Sequence, residues 1–136
     1  MAVMEENQAP KKTILVVDDD ETICVSLKQE LEVHGFNVLI AKNGKEGLDL
    51  AFKNKPDLIL LDKFMPVMDG DQVVAELSKD EWGQRVPIII LTIVNDLGEL
   101  NVTLSRQNID YLLKSEISPP SVAQVVANRL NDNPLS

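Results

Sequence analysis

Five short runs of the chain are almost wholly apolar: TILVV (13–17), NVLIA (37–41), DLILL (57–61), VPIIIL (86–91) and IDYLL (109–113). Leu58, Ile59, Leu60 and Leu61 stand in a row where an alternating strand would place a polar residue, so this run predicts a strand buried on both faces, and the other four read as strands too. The segments between them have helix length. In the first, Ile23, Leu27, Leu31 and His34 share a face and Gly35 supplies the stop; in the second, Asn43 and Gly44 open a segment carrying Leu48, Ala51 and Phe52. Asp69 or Asp71 caps a third helix through Val73, Val74 and Leu77, and a fourth, with weaker periodicity, is expected around Leu97, Leu100, Val102 and Leu104. The last starts at Pro119 and Pro120, where a missing N–H is harmless, and uses Val122, Val125, Val126, Arg129 and Leu130.

Strict alternation of strand and helix argues for an α/β fold with right-handed crossovers: a doubly wound, flavodoxin-like (βα)5 domain whose five-stranded parallel sheet has the order 2-1-3-4-5. Strands 1 and 3 are then neighbours at the topological switch point, where ligands bind beyond the carboxyl ends of the strands. The domain spans 13–131, with tails at 1–12 and 132–136.

Composition narrows the function. With 136 residues, 44% of them hydrophobic, the chain fills one core, so one site is sought. No apolar run is long enough to span a membrane, and MAVMEENQAPKK lacks the apolar stretch of a secretory signal, so a cytoplasmic location is expected. The lone Cys24 has no disulfide partner and cannot build a zinc site with His34 alone; both read as helix residues. A net charge of −9 disfavours nucleic acid and anionic lipid and favours a protein or a cation as partner.

The acids are not evenly spread. The first strand ends at Asp18-Asp19-Asp20 and the third at Asp62, so Asp18, Asp19 and Asp62 converge on one crevice if the strand order holds. Like charges so close repel, and an all-oxygen set with open water positions suits Mg²⁺. DDDE read alone is equally a cap for the first helix. Thr92 ends the fourth strand and Lys114 the fifth. Each is unremarkable by itself; together with the acids they make a constellation.

ILVVDDDE, LILLDKFMPVMDG, PIIILT and DYLLK, in this order and at these intervals, resemble the receiver domain of two-component response regulators from about residue 12 to 131. The resemblance implies that Asp62 accepts a phosphoryl group from a histidine kinase or phosphotransfer protein and holds it as an acyl phosphate. It implies that Asp18 and Asp19 hold Mg²⁺ together with Asp62 and the backbone carbonyl of Phe64. Thr92 and Lys114 would each meet a phosphoryl oxygen, and Tyr111 would turn inward as Thr92 moves. Such a domain is a regulatory phosphoacceptor rather than an enzyme acting on a separate substrate. Its output protein, or a second copy of the chain, would dock around the fourth helix, fifth strand and last helix, a surface including Arg106, Tyr111, Ala123 and Ala127.

Departures from the family pattern carry expectations too. Ser115 stands where the family has a cis proline after its lysine; a cis bond before a non-proline residue costs roughly 2.5–4 kcal/mol, so the sequence leaves the Lys114–Ser115 bond open between cis and trans, and a trans bond would aim the lysine differently. Ile93 stands where a small residue is usual. With Phe64 and Val94 it lines the proposed phosphoryl site with apolar groups, which predicts slow loading and a long-lived phosphorylated state. Pro66 and Gly70 suit a tight turn, and Met65 and Met68 read as packing residues. The alternative function is a receiver-like docking module that acts without phosphorylation. An aspartate-nucleophile phosphatase of the haloacid dehalogenase type would need a second Asp where Phe64 stands.

Overall fold

A computed structural model describes residues 11–92, 108–116 and 118–131. Its elements are β1 (Thr13–Val17), α1 (Glu21–Val33), β2 (Asn37–Ala41), α2 (Gly44–Asn54), β3 (Leu58–Asp62), α3 (Gly70–Leu77), α4 (Glu81–Arg85), β4 (Ile88–Thr92), β5 (Ile109–Leu113), a 3-10 turn (Lys114–Glu116) and α5 (Pro119–Asn131). All pairings are parallel and the sheet order is β2-β1-β3-β4-β5, as the strand spacing implied. The fourth expected helix, with Leu97, Leu100, Val102 and Leu104, lies outside the described residues, as do Ile93, Val94 and Arg106.

Each face of the sheet has its own core. Leu15, Val17, Ile59, Leu61, Ile88 and Ile90 meet Leu48 and Ala51 of α2 and Val73, Val74 and Leu77 of α3. Ile14, Val16, Leu58, Leu60, Ile89 and Leu91 meet Cys24, Leu27 and Leu31 of α1 and Val122, Ala123 and Val126 of α5. The continuous aliphatic runs are thus divided residue by residue between two helical layers, which is why they do not alternate with polar positions.

Several boundaries shift from expectation. Asp57 stays outside β3: its carboxylate accepts the Thr13 N–H at 2.7 Å and its own N–H donates to the Thr13 carbonyl at 2.8 Å. Val86 and Pro87 precede β4, with the Pro87 carbonyl accepting from the Ile59 N–H at 3.0 Å. His34 caps the C-terminus of α1 rather than lying in it, and the buried stripe of that helix runs through Cys24, Leu27 and Leu31, with Ile23 half-buried. Ala123 is buried against the sheet, so it is no part of a docking surface. The unexpected α4 begins where Asp80 accepts the Gly83 N–H at 3.1 Å.

Candidate functional site

Register brings the acids together. Val17 of β1 pairs with Leu61 of β3, so the next residues, Asp18 and Asp62, leave the sheet side by side. Asp18 is 1% exposed and Asp62 5%, whereas Asp19 is exposed. One carboxylate oxygen from each of the three lies within 4.8 Å of the others. Lys114, at the end of β5, sends its Nζ to within 2.8 Å of Asp18 Oδ2 and 3.3 Å of Asp62 Oδ1. Asp18 Oδ1 accepts the Asp20 N–H at 2.9 Å, which turns that carboxylate inward.

The DDD run is therefore divided by role. Asp20 caps α1, accepting from the Thr22 N–H at 3.0 Å and the Ile23 N–H at 3.3 Å, while Asp18 and Asp19 face Asp62. The capping and the site readings of the run both hold, for different residues.

Charge at the site is unbalanced. Burial, then the neighbouring Asp18 charge, push the Asp62 carboxyl from its ordinary 3.8 up to about 6, against the opposing pull of Lys114 and of the Phe64 backbone N–H. For Lys114 burial opposes the charged form, but its hydrogen bond to Asp18 and the charges of Asp62 and Asp18 outweigh that and hold the ammonium above its ordinary range. Cys24 donates its thiol to the Asp18 carbonyl at 3.3 Å, and burial with the Asp18 and Asp20 charges pushes it up to about 11, leaving an inert core thiol.

Between β3 and α3 the chain passes beside Asp62. The Lys63 N–H donates to the Leu91 carbonyl and the Gly70 N–H to the Lys63 carbonyl, both at 2.9 Å. Only glycine fits at 70, because a Cβ there would lie 2.7 Å from the Asp62 carbonyl oxygen. Asp69, not Asp71, caps α3, in a reciprocal pair with Gln72. Met65 and Met68 pack on the core as expected. Phe64 is 44% exposed, and Val67 is 80% exposed with φ at +72°.

Sequence reasoning missed one pair in this segment. Lys63 is only 3% exposed, and its Nζ lies 2.8 Å from Asp71 Oδ2 in the first turn of α3. A cation following a fully buried strand, with an acid eight residues on, was the available signal.

Thr92 is buried at the end of β4. Tyr111 is half-buried; its hydroxyl is enclosed, has no hydrogen-bond partner among the described residues, and is pushed up to about 12 by burial and the Asp71 charge. The Lys114–Ser115 bond is trans and begins the 3-10 turn, with Ser115 exposed. Lys114 nonetheless reaches both buried acids.

Residues 14–126 match the family model described as response regulator receiver domain. Protein PilH of Pseudomonas aeruginosa is 42% identical over 102 residues, covering 74% of this chain and 84% of its own length. Response regulator MprA of a Mycobacterium species is 40% identical over 101 residues, covering 74% of this chain, and the match spans 43% of that protein's length. Among solved structures, Vibrio cholerae chemotaxis protein CheY4 superposes with a TM-score of 0.81 at 26% identity, covering 89% of this chain and all of that one. The receiver domain of sensor histidine kinase PA1611 from Pseudomonas aeruginosa, described with a magnesium ion coordinated in its active site cleft, gives 0.78 at 27% identity, covering 90% of this chain and 99% of its own.

Proposed function

This chain belongs to the response regulator receiver domain family, and on that premise we propose that it is a switch in which Asp62 takes a phosphoryl group from a histidine kinase or phosphotransfer protein. The observation that carries the reading is the position of Asp62: last residue of a fully buried strand, beside Asp18 and Asp19, with the Lys114 ammonium 3.3 Å away. A carboxyl raised only to about 6 is mostly ionised at neutral pH, so it attacks without a general base. An Asp62 oxygen forms the new bond to phosphorus while the donor's nitrogen–phosphorus bond breaks and its electron pair leaves with the nitrogen. Lys114 then turns from the carboxylates to the added phosphoryl oxygens, where its charge is worth more. Thr92 and Tyr111, at the end of β4 and within β5, carry the change toward the partner-binding face.

The donor set fits Mg²⁺: three clustered carboxylates are hard oxygen ligands, and Asp18, Asp19, Asp62 and the Phe64 carbonyl would hold the ion. Bound there, it supplies charge neutralisation to the transferring phosphoryl oxygens. The supporting logic is local: beside one ammonium, the three acids leave an excess of negative charge that a divalent cation offsets.

The partners in this reading are a phosphodonor protein and an output protein or second copy of the chain, with no role for nucleic acid or a membrane. Among the described residues no helix is long and apolar enough to cross a membrane. The test is incubation with Mg²⁺ and acetyl phosphate followed by intact mass, with Asp62→Ala as control. A phosphate-sized increment in wild type alone is expected. No increment in wild type, with donor and Mg²⁺ in excess, would replace the switch by a docking module that works without phosphorylation.

A further inference from the structure

The phosphoryl chemistry makes no use of the pair formed by buried Lys63 and half-buried Asp71, although Lys63 directly follows Asp62. Buried charge needs a reason. Replacing such a pair with apolar residues of similar volume is often neutral or stabilising, so stability alone does not account for it. What the pair has that an apolar contact lacks is direction: a 2.8 Å contact fixes the distance between Lys63 and the first turn of α3, where aliphatic side chains could slide.

Three ties then hold the ends of the 63–71 segment: Lys63 N–H to Leu91, Gly70 N–H to the Lys63 carbonyl, and Lys63 Nζ to Asp71. Within them the chain passes through Val67 at φ +72°, a conformation that a β-branched residue adopts only when its surroundings impose it. Asp71 depends on this contact, since its other oxygen is buried with no hydrogen-bond partner among the described residues. The segment so held carries Phe64, whose backbone N–H meets the Asp62 carboxylate.

We propose that Lys63 and Asp71 form a positioning clamp that holds the 63–70 segment in the conformation presenting the Phe64 backbone to Asp62 and to a cation bound there, an inference that rests on the phosphoacceptor reading. Neither residue touches the phosphoryl group. They act through the backbone between them.

The experiment compares wild type with Lys63→Met/Asp71→Leu, which removes one charge of each sign and so leaves the net field at Asp62 nearly unchanged. Melting temperature, amide hydrogen exchange of residues 63–70 in the metal-free protein, and Mg²⁺ affinity are measured. The clamp requires wild-type-like melting, exchange in 63–70 faster by about tenfold, and Mg²⁺ binding weaker by about tenfold, the scale of losing an outer support of a metal site. Wild-type exchange and affinity in the double variant would overturn it. Asp71→Asn guards against a double variant that fails to fold: exchange that rises in 63–70 but not in β1 and β4 supports the clamp, and exchange rising equally everywhere refutes it. If wild type takes no phosphate on Asp62, the phosphoacceptor reading falls, while the exchange rates still decide the clamp.

Discussion

Two groups of buried charge begin at adjacent residues, Asp62 and Lys63, and they are balanced differently. Around Asp62, among the described residues, three carboxylates share one ammonium, and the Asp62 carboxyl is raised to about 6. Lys63, in contrast, meets the Asp71 carboxylate at 2.8 Å and lies 5.4 Å from the Phe64 ring centroid. The first group carries an excess of negative charge. In the second, the Lys63 and Asp71 charges offset one another. Burial by itself therefore does not separate the two groups; the local balance of charge does.

The strongest way to break this contrast is to remove each lysine in turn. Lys63→Met should cost roughly 1–3 kcal/mol, the scale of leaving a half-buried charged group without its partner, since the Asp71 side chain is 24% exposed, and Mg²⁺ should not restore it because Asp71 is not one of the clustered acids. Lys114→Met should cost more in chelator, roughly 3–5 kcal/mol, since it strips the ammonium from Asp18 and Asp62, whose side chains are 0% and 7% exposed, and here Mg²⁺ should recover most of the loss. Denaturant titrations of both variants with Mg²⁺ and with chelator measure this. Equal rescue of the two would erase the distinction.

A pH titration sharpens it further. Because the folded Asp62 carboxyl is raised from 3.8 to about 6, the folded state binds more protons than the unfolded state between those values, so this group makes the metal-free protein less stable as pH rises through that window. Asp62→Asn should flatten that part of the stability profile. Phosphorylation should run the opposite way, falling as pH drops and Asp62 becomes protonated, with a midpoint below the metal-free value because a bound cation favours the carboxylate. A metal-free stability profile that Asp62→Asn leaves unchanged between pH 3.8 and about 6 would contradict the raised carboxyl.

The smallest effect belongs to Asp19, the exposed member of the acidic group. Asp19→Asn should slightly raise the melting temperature in chelator, by relieving repulsion, and weaken Mg²⁺ binding. A lower melting temperature in chelator would show that Asp19 is not part of the repulsive cluster.

What the sequence made legible follows from how locally each feature is determined. The unbroken aliphatic runs of β1, β3 and β4 identify buried strands because both faces of each are covered, whereas the like run of β2 lies at the sheet edge and is mostly half-buried; the spacing of the runs implies the observed order. The sheet order then places Asp18 and Asp62 together with no further information. Side-chain partners chosen by loop geometry were not legible in the same way. Asp69 and Asp71 are equally placed in the sequence to cap α3; Asp69 takes that role, and the path of the 63–70 segment is what delivers Asp71 to Lys63. Likewise Cys24 looks incidental in the sequence but fills the face of α1 that the sheet covers. The helix Glu81–Arg85 is too short for periodicity to reveal, and Asp80 was its one signal.

The sheet order has a consequence for how the domain comes into being. Asp18 directly follows the first strand and Lys114 the last, so the contact between them closes a loop spanning most of the chain. Such contacts are gained late in folding, because the entropy of closing a long loop is lost before any contact offsets it. Until β5 docks, the acids at the ends of β1 and β3 face one another without their lysine. The Asp18–Asp62–Lys114 cluster is thus a product of complete folding, and a chain stopped short of β5 would carry Asp62 without the ammonium that lies 3.3 Å from it in the folded domain.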